Sequence, residues 1–178
     1  MLIASRIHAA AAGGEVETAA EMLDLLNTSH LEINAIVLTS AIRSCWGWGA
    51  KQHQAAKYFW DLFQKFDVKP DNVAFTALVG AYITAPLEYI LSAKADMARS
   101  GIRPSHVFAE TYLCSVVQLD LKGRRHINFF IDALRDQPAD RLQEARVALE
   151  EFEAEGVELS GLSKKLKSAL QILKQEQQ

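Results

Sequence analysis

The stretch that decides the fold covers residues 71–105 and reads DNVAFTALVGAYITAPLEYILSAKADMARSGIRPS. Residues 72–82 contain no charged side chain, whereas residues 87–99 place apolar side chains at helical spacing among charged and polar ones. Pro86 suits the first turn of the second segment, and Gly101 suits its C-terminal cap. The pattern predicts a hairpin of two helices. The first is buried from both sides, and the second keeps one face in water.

The same pattern is repeated along the chain on either side of this hairpin. Nearly uncharged segments follow Asn34, Asp71 and Ser105, which are good N-cap residues for a helix and are 37 and 34 residues apart. Each of these segments is combined with an amphipathic one. A period of this length is typical of helical hairpins that stack on their neighbours. We therefore expect an all-α fold.

The predicted domain organisation follows these junctions. We expect a helical-repeat array over residues 1–136, with units at 1–34, 35–71, 72–105 and 106–136. The period slips after residue 106, and terminal repeats are usually atypical because their outer face has to be polar. Residues 139–178 are therefore predicted to form a pair of C-terminal capping helices.

Composition limits the classes of partner. The chain has 178 residues and a net charge of -3, so there is no overall basic character of the kind that phosphate binding requires. We expect no DNA binding. Cys45 and Cys114 lack the spacing of a zinc or redox pair, and no metal or other cofactor is expected. No apolar run approaches the length of a transmembrane helix, so no membrane insertion is predicted.

Several segments resemble the pentatricopeptide repeat. They are residues 75–82 (FTALVGAY), 87–97 (LEYILSAKADM) and 101–105 (GIRPS), together with 38–45 (LTSAIRSC), 56–63 (AKYFWDLF) and 68–71 (VKPD). The resemblance is good over roughly residues 14–105 and weaker over 106–136. It implies a right-handed α-solenoid of about four stacked helix–turn–helix hairpins. It also implies a mitochondrial or plastid location. The chain begins inside a repeat unit, so a targeting segment or further repeats ahead of Met1 are compatible with the pattern.

The resemblance also assigns candidate RNA-binding positions. Pentatricopeptide proteins commonly bind single-stranded RNA, one base per repeat, through the fifth residue of the uncharged helix and the last residue of the unit. The matching positions here are Thr39, Asp71, Thr76, Ser105 and Asn34. Thr39 with Asp71 is a pair that the family's code associates with guanine, whereas Thr76 with Ser105 is a poor match. The alternative is that Asn34, Asp71 and Ser105 act only as helix N-caps.

Tryptophan residues suggest a different kind of surface. Trp46 and Trp48 lie in the turn between two predicted helices. As exposed side chains they are candidates for protein docking, because Trp is enriched at interface hot spots. The alternative is that they fill the space between hairpins. Trp60 falls in the apolar column of its amphipathic helix and is predicted to lie in the core.

A short basic cluster is formed by Lys122, Arg124 and Arg125. It is a candidate contact for an RNA phosphate or an acidic partner, and the alternative is a solvated helix start. The nearly uncharged helices, in contrast, offer few cations. Arg43 is the only basic residue between positions 35 and 50, and there is none between 72 and 90.

No catalytic motif is recognised. His30 and Glu32 match the His-x-Glu of zinc deaminases, but the Pro-Cys-x-x-Cys that must accompany it is absent. The favoured hypothesis is a non-catalytic interaction module that docks other protein subunits, as a scaffold or accessory subunit of a larger organellar assembly. The alternative is a single-stranded RNA-binding protein of organellar RNA metabolism, although about four units would read only about four bases.

Overall fold

The computed structural model describes residues 2–46, 52–119 and 126–176. Over these residues the fold is all-α, as predicted, with no β-strand. The helices are α1 (Leu2–Gly13), α2 (Val16–Thr28), α3 (Ala35–Ser44), α4 (Gln52–Lys65), α5 (Asn72–Ala81), α6 (Leu87–Arg99), α7 (His106–Val116), α8 (Ile127–Arg135), α9 (Ala139–Ala154) and α10 (Gly161–Glu176). The chain divides into two compact units, Met1–Ile102 and Arg103–Gln178.

The first unit contains α1 to α6 and is organised around α3 and α5. Helix α3 packs against α1 on one side and α5 on the other, and it also contacts α2 and α4. Helix α5 packs in turn against α4 and α6. Because neighbouring helices cover them in this way, Leu38, Ile42, Phe75 and Val79 are fully buried. The low charge of these two helices follows from that burial, since an unpaired charge would be costly there.

Six of the helices end in the same way. A residue with positive φ follows α1, α2, α4, α6, α7 and α9, and these residues are Gly14, His30, Asp67, Gly101, Gln118 and Gly156. The next backbone N–H donates to a carbonyl five residues earlier, as from Val68 to Phe63 at 2.8 Å and from Ile102 to Met97 at 3.2 Å. This is the Schellman geometry, which satisfies carbonyls at the helix end and reverses the chain. The apolar residues Leu31, Val68 and Ile102, which follow α2, α4 and α6, are therefore part of these caps.

The second unit contains α7 to α10. Helix α10 contacts α7, α8 and α9, and α7 also packs against α9. Tyr112 of α7 is fully buried, and its hydroxyl donates to Glu144 Oε1 of α9 at 2.5 Å. Burial and the Glu144 carboxylate raise the pKa of Tyr112 well above its usual range. The buried Arg141 guanidinium donates to the carbonyl of Val116 at 2.9 Å, which satisfies an acceptor at the end of α7.

This division differs from the predicted domain boundary. The predicted fourth repeat, 106–136, corresponds to α7 and α8, and the predicted capping pair, 139–178, corresponds to α9 and α10. Both belong to the second compact unit, whose boundary lies after Ile102 and not after residue 136. The reason is that α8 packs against α10 and α7 packs against α9, so the four helices share one core.

The helix ends make a prediction about stability. Asp67 is exposed and has φ of 51°, a conformation that costs a non-glycine residue about 1 kcal/mol. We expect Asp67→Gly to raise the free energy of unfolding by about 0.5–1 kcal/mol in urea titrations followed by circular dichroism. The matched control is Gly101→Ala at φ 69°, where the added Cβ meets nothing within 4 Å and only the backbone conformation is penalised. Its effect should have the opposite sign, and equal signs would contradict the assigned cap.

Candidate functional site

The three junction residues all act as helix N-caps. Asn34 Oδ1 accepts from the Val37 backbone N–H at 3.1 Å. Asp71 Oδ1 accepts likewise from Ala74 at 2.8 Å. Ser105 Oγ accepts from Phe108 at 3.1 Å. Each side chain thus satisfies a backbone donor that the first turn of a helix leaves without an intrahelical partner. The N-cap interpretation of these positions is confirmed, and it accounts for their residue types without any ligand.

The other two candidate RNA-reading residues are buried. Thr39 is 6% exposed and Thr76 is 7% exposed, and the Thr76 hydroxyl donates to the Asn72 carbonyl at 2.7 Å. Aliphatic side chains are exposed near the starts of the same helices, with Ile36 at 64% and Val73 at 49%. The first unit therefore presents hydrocarbon on α3 and α5 where base reading would need accessible polar groups.

Trp46, which follows the end of α3, contacts α5. Its indole Nε1 donates to the carbonyl of Ala77 at 2.6 Å, although 41% of the residue stays exposed. The ring lies against Gly80, where an added Cβ would come within 2.5 Å of the indole. Trp46 thus packs against α5 with part of its ring and stays exposed with the rest, so the docking interpretation and the space-filling interpretation of this turn both stay open. Trp48, the other candidate docking residue, lies outside the described residues.

The remaining sequence candidates provide no reactive centre in the described part of the chain. The basic cluster of Lys122, Arg124 and Arg125 lies outside the described residues. Burial raises the pKa of the Cys45 thiol to about 11, so it is protonated and unreactive near neutral pH. Within residues 2–46, 52–119 and 126–176, no three His, Cys, Asp or Glu side chains are grouped so that they could hold a metal ion. In the same residues, no helix is both long and apolar enough to cross a membrane.

A groove in the first unit is a concave feature that sequence reasoning missed. It lies between α4 and α6 above α5 and has a volume of about 800 Å³. Its aromatic lining consists of Trp60, Phe63, Phe75, Tyr82 and Tyr89.

Trp60 is part of this lining and only half-buried, so its predicted place in the core is wrong. The ring packs against Phe75 with centroids 4.7 Å apart and against Phe63 at 5.1 Å. Phe59, its neighbour on α4, is buried in the core. The helical period correctly assigns Trp60 to the apolar side of α4, but the separation of α4 from α6 leaves part of the ring uncovered.

The opposite wall of the groove is built from tyrosines. Tyr82 and Tyr89 meet edge to face with ring centroids 5.4 Å apart. Burial and the nearby Asp61 carboxylate raise the pKa of Tyr82 well above its usual range, so its hydroxyl stays protonated and can donate a hydrogen bond. The groove therefore combines flat apolar ring faces with a tyrosine hydroxyl in its lining.

Charged side chains line the rim of the groove. Lys57 pairs with Asp61 at 2.6 Å, and Arg99 pairs with Asp96. Glu88 is exposed in the first turn of α6 and forms no ion pair with any residue that the structure describes. Carboxylates thus outnumber cations on the rim, and the excess negative charge is at Glu88.

The contact between Trp46 and Gly80 predicts that Gly80→Ala has opposite effects on stability in the presence and in the absence of the Trp46 side chain. In the otherwise unaltered protein, Gly80→Ala forces a methyl group into the indole and should destabilise by about 1–3 kcal/mol. In a Trp46→Ala background the clash is gone, and the better helix propensity of Ala should make the same change stabilising by up to about 1 kcal/mol. Urea unfolding of the four proteins measures both values. An unchanged sign would disprove this packing.

The cap at Asp71 predicts a separation between stability and base recognition. Asp71→Ala removes the acceptor for the Ala74 N–H and should cost about 1 kcal/mol of unfolding free energy. Asp71→Asn keeps an N-cap acceptor and should retain most of that stability, while it replaces the carboxylate that a guanine-reading position would use. If RNA were read here, Asp71→Asn would change base preference in filter binding. If Asp71 acts only as an N-cap, Asp71→Asn should leave base preference unchanged and retain most of the free energy of unfolding.

Neither the protein-family models nor the curated proteins include a match to this chain.

Proposed function

We propose that this chain is a non-catalytic helical-repeat module that docks other protein subunits, as a scaffold or accessory subunit of a larger assembly. In this proposal the helices form a right-handed α-solenoid of about four pentatricopeptide-like hairpins, completed by a C-terminal capping pair. The organellar setting, mitochondrial or plastid, rests on the resemblance of the repeat segments alone.

The observation that carries the proposal is the aromatic groove between α4 and α6. A concave surface of about 800 Å³ with half-buried Trp60 and Tyr89 is the kind of surface at which protein side chains anchor, since aromatic residues dominate the energetics of protein interfaces. Phosphate binding would instead require a concentration of Lys and Arg. The lysine and arginine on this rim, Lys57 and Arg99, already lie beside carboxylates.

Binding of single-stranded RNA is the competing function. It draws on the match of Thr39 and Asp71 to the family's code for guanine. Against it stand the burial of Thr39 and Thr76 and the engagement of Asp71 in the N-cap of α5. These contacts leave the two helices with little polar surface to offer a base.

The proposal predicts the behaviour of the native protein in extracts of its own cells. It should elute in size-exclusion chromatography well above its 19.8 kDa mass, and RNase treatment should leave that elution unchanged. The purified chain should also flow through poly-uridine resin at low salt, because its net charge is -3 and the cations on the groove rim lie beside carboxylates.

Two outcomes would overturn the proposal. Elution as a monomer in untreated extract would contradict the proposed membership of a larger assembly. Retention on poly-uridine that falls steeply between low and moderate salt, with collapse of the assembly after RNase, would favour RNA binding. A protein of known RNA dependence, followed in the same extract, controls for complete digestion.

A further inference from the structure

The size of the groove limits what can occupy it. About 800 Å³ is within the range of pockets that enclose a ligand or a few side chains, and it is too small for a folded domain. An occupant must therefore be a segment that inserts side chains between α4 and α6. Both helices belong to the first compact unit, so the groove is a property of that unit alone.

The lining of the groove selects for a particular chemistry. Trp60 and Tyr89 are half-buried, so parts of their rings remain open to a ligand. Aromatic faces bind aliphatic carbon through dispersion and burial, and they attract cations through the negative potential of the π-system. A lysine or arginine side chain offers both an aliphatic stem and a cationic end.

The charges on the rim favour the same ligand. The ion pairs of Lys57 with Asp61 and of Arg99 with Asp96 are solvent-exposed, and pairs of this kind contribute little and exchange partners at small cost. Glu88 has no ionic partner in the part of the chain that the structure describes. A cation is thus complementary to the groove, whereas a phosphate or carboxylate would be repelled.

We propose that the groove between α4 and α6 binds a short peptide segment of a partner protein, in which a Lys or Arg that pairs with Glu88 is flanked by apolar side chains that pack on Trp60 and Tyr89. This inference rests on the proposed docking function and adds the chemistry of the partner. Because the ion pair forms beside ring faces and partly away from water, its contribution to affinity exceeds that of a fully exposed pair.

Selection from a phage-displayed library of random 12-residue peptides on the purified chain tests the proposal without knowledge of the partner. We expect the enriched peptides to share a Lys or Arg beside aliphatic or aromatic residues. Glu88→Lys should weaken their binding about tenfold or more in titrations with the synthetic peptides. Replacing the peptide cation by Glu should abolish binding to the unaltered chain and restore it to the Glu88→Lys variant.

Control variants separate the groove from general effects of charge and fold. Glu17→Lys makes the same charge change in the first turn of α2 at an exposed position outside the groove, and it should alter binding less than about twofold. Ser92→Trp fills the groove from an exposed position and should reduce binding about tenfold. Ala95→Trp adds the same bulk on α6 at an exposed position outside the groove lining and should not.

The possible results distinguish this inference from the function on which it rests. Enriched peptides that lack a cation, or that bind Glu88→Lys and Ser92→Trp as well as the unaltered chain, overturn the groove proposal and leave protein docking intact. Failure to enrich any peptide overturns the groove proposal as well. The docking function is tested separately, by the elution of the native protein in extract. A monomeric or RNase-sensitive native protein would contradict docking itself.

Discussion

Burial of two nearly uncharged helices between their neighbours is the constraint on which the first unit depends. Helix α3 is covered by α1 on one side and α5 on the other, and α5 is covered in turn by α4 and α6. A charged side chain pointing inward at Leu38 or Phe75 would lose its hydration without gaining a partner, so these positions are apolar. The amphipathic helices carry most of the charge because one of their faces remains in water.

The ends of the helices determine how the chain reverses direction between successive helices. A side-chain N-cap begins α3, α5 and α7, and a Schellman turn with positive φ follows each of α2, α4 and α6. Backbone groups that would otherwise lack partners are thereby satisfied at both ends. Because of the same requirement, Asn34, Asp71 and Ser105 accept hydrogen bonds from the backbone of their own helices. This role explains why these positions carry N-cap residue types, which also match an RNA-reading code.

The caps and the buried threonines serve the structure of their own helices, and packing leaves other surfaces of the first unit open. The groove above α5 is one such surface, because the rings that α4 and α6 contribute do not fill the space between these helices. Trp60 reaches Phe75 on its floor, and Tyr82 reaches Tyr89 on its opposite side. Packing therefore generates both the core and the concave aromatic surface from the same side chains.

The sequence by itself determined the all-α class and the N-caps, because the helical period and capping preferences act over a few neighbouring residues. It also singled out Trp46, but without deciding between an exposed docking residue and a packed one. Only the tertiary structure decided that Trp46 packs on Gly80, that Trp60 lines a groove, and that α7 to α10 share one core with its boundary after Ile102. These features depend on the distance between helices far apart in the chain, and a local pattern carries no information about that distance.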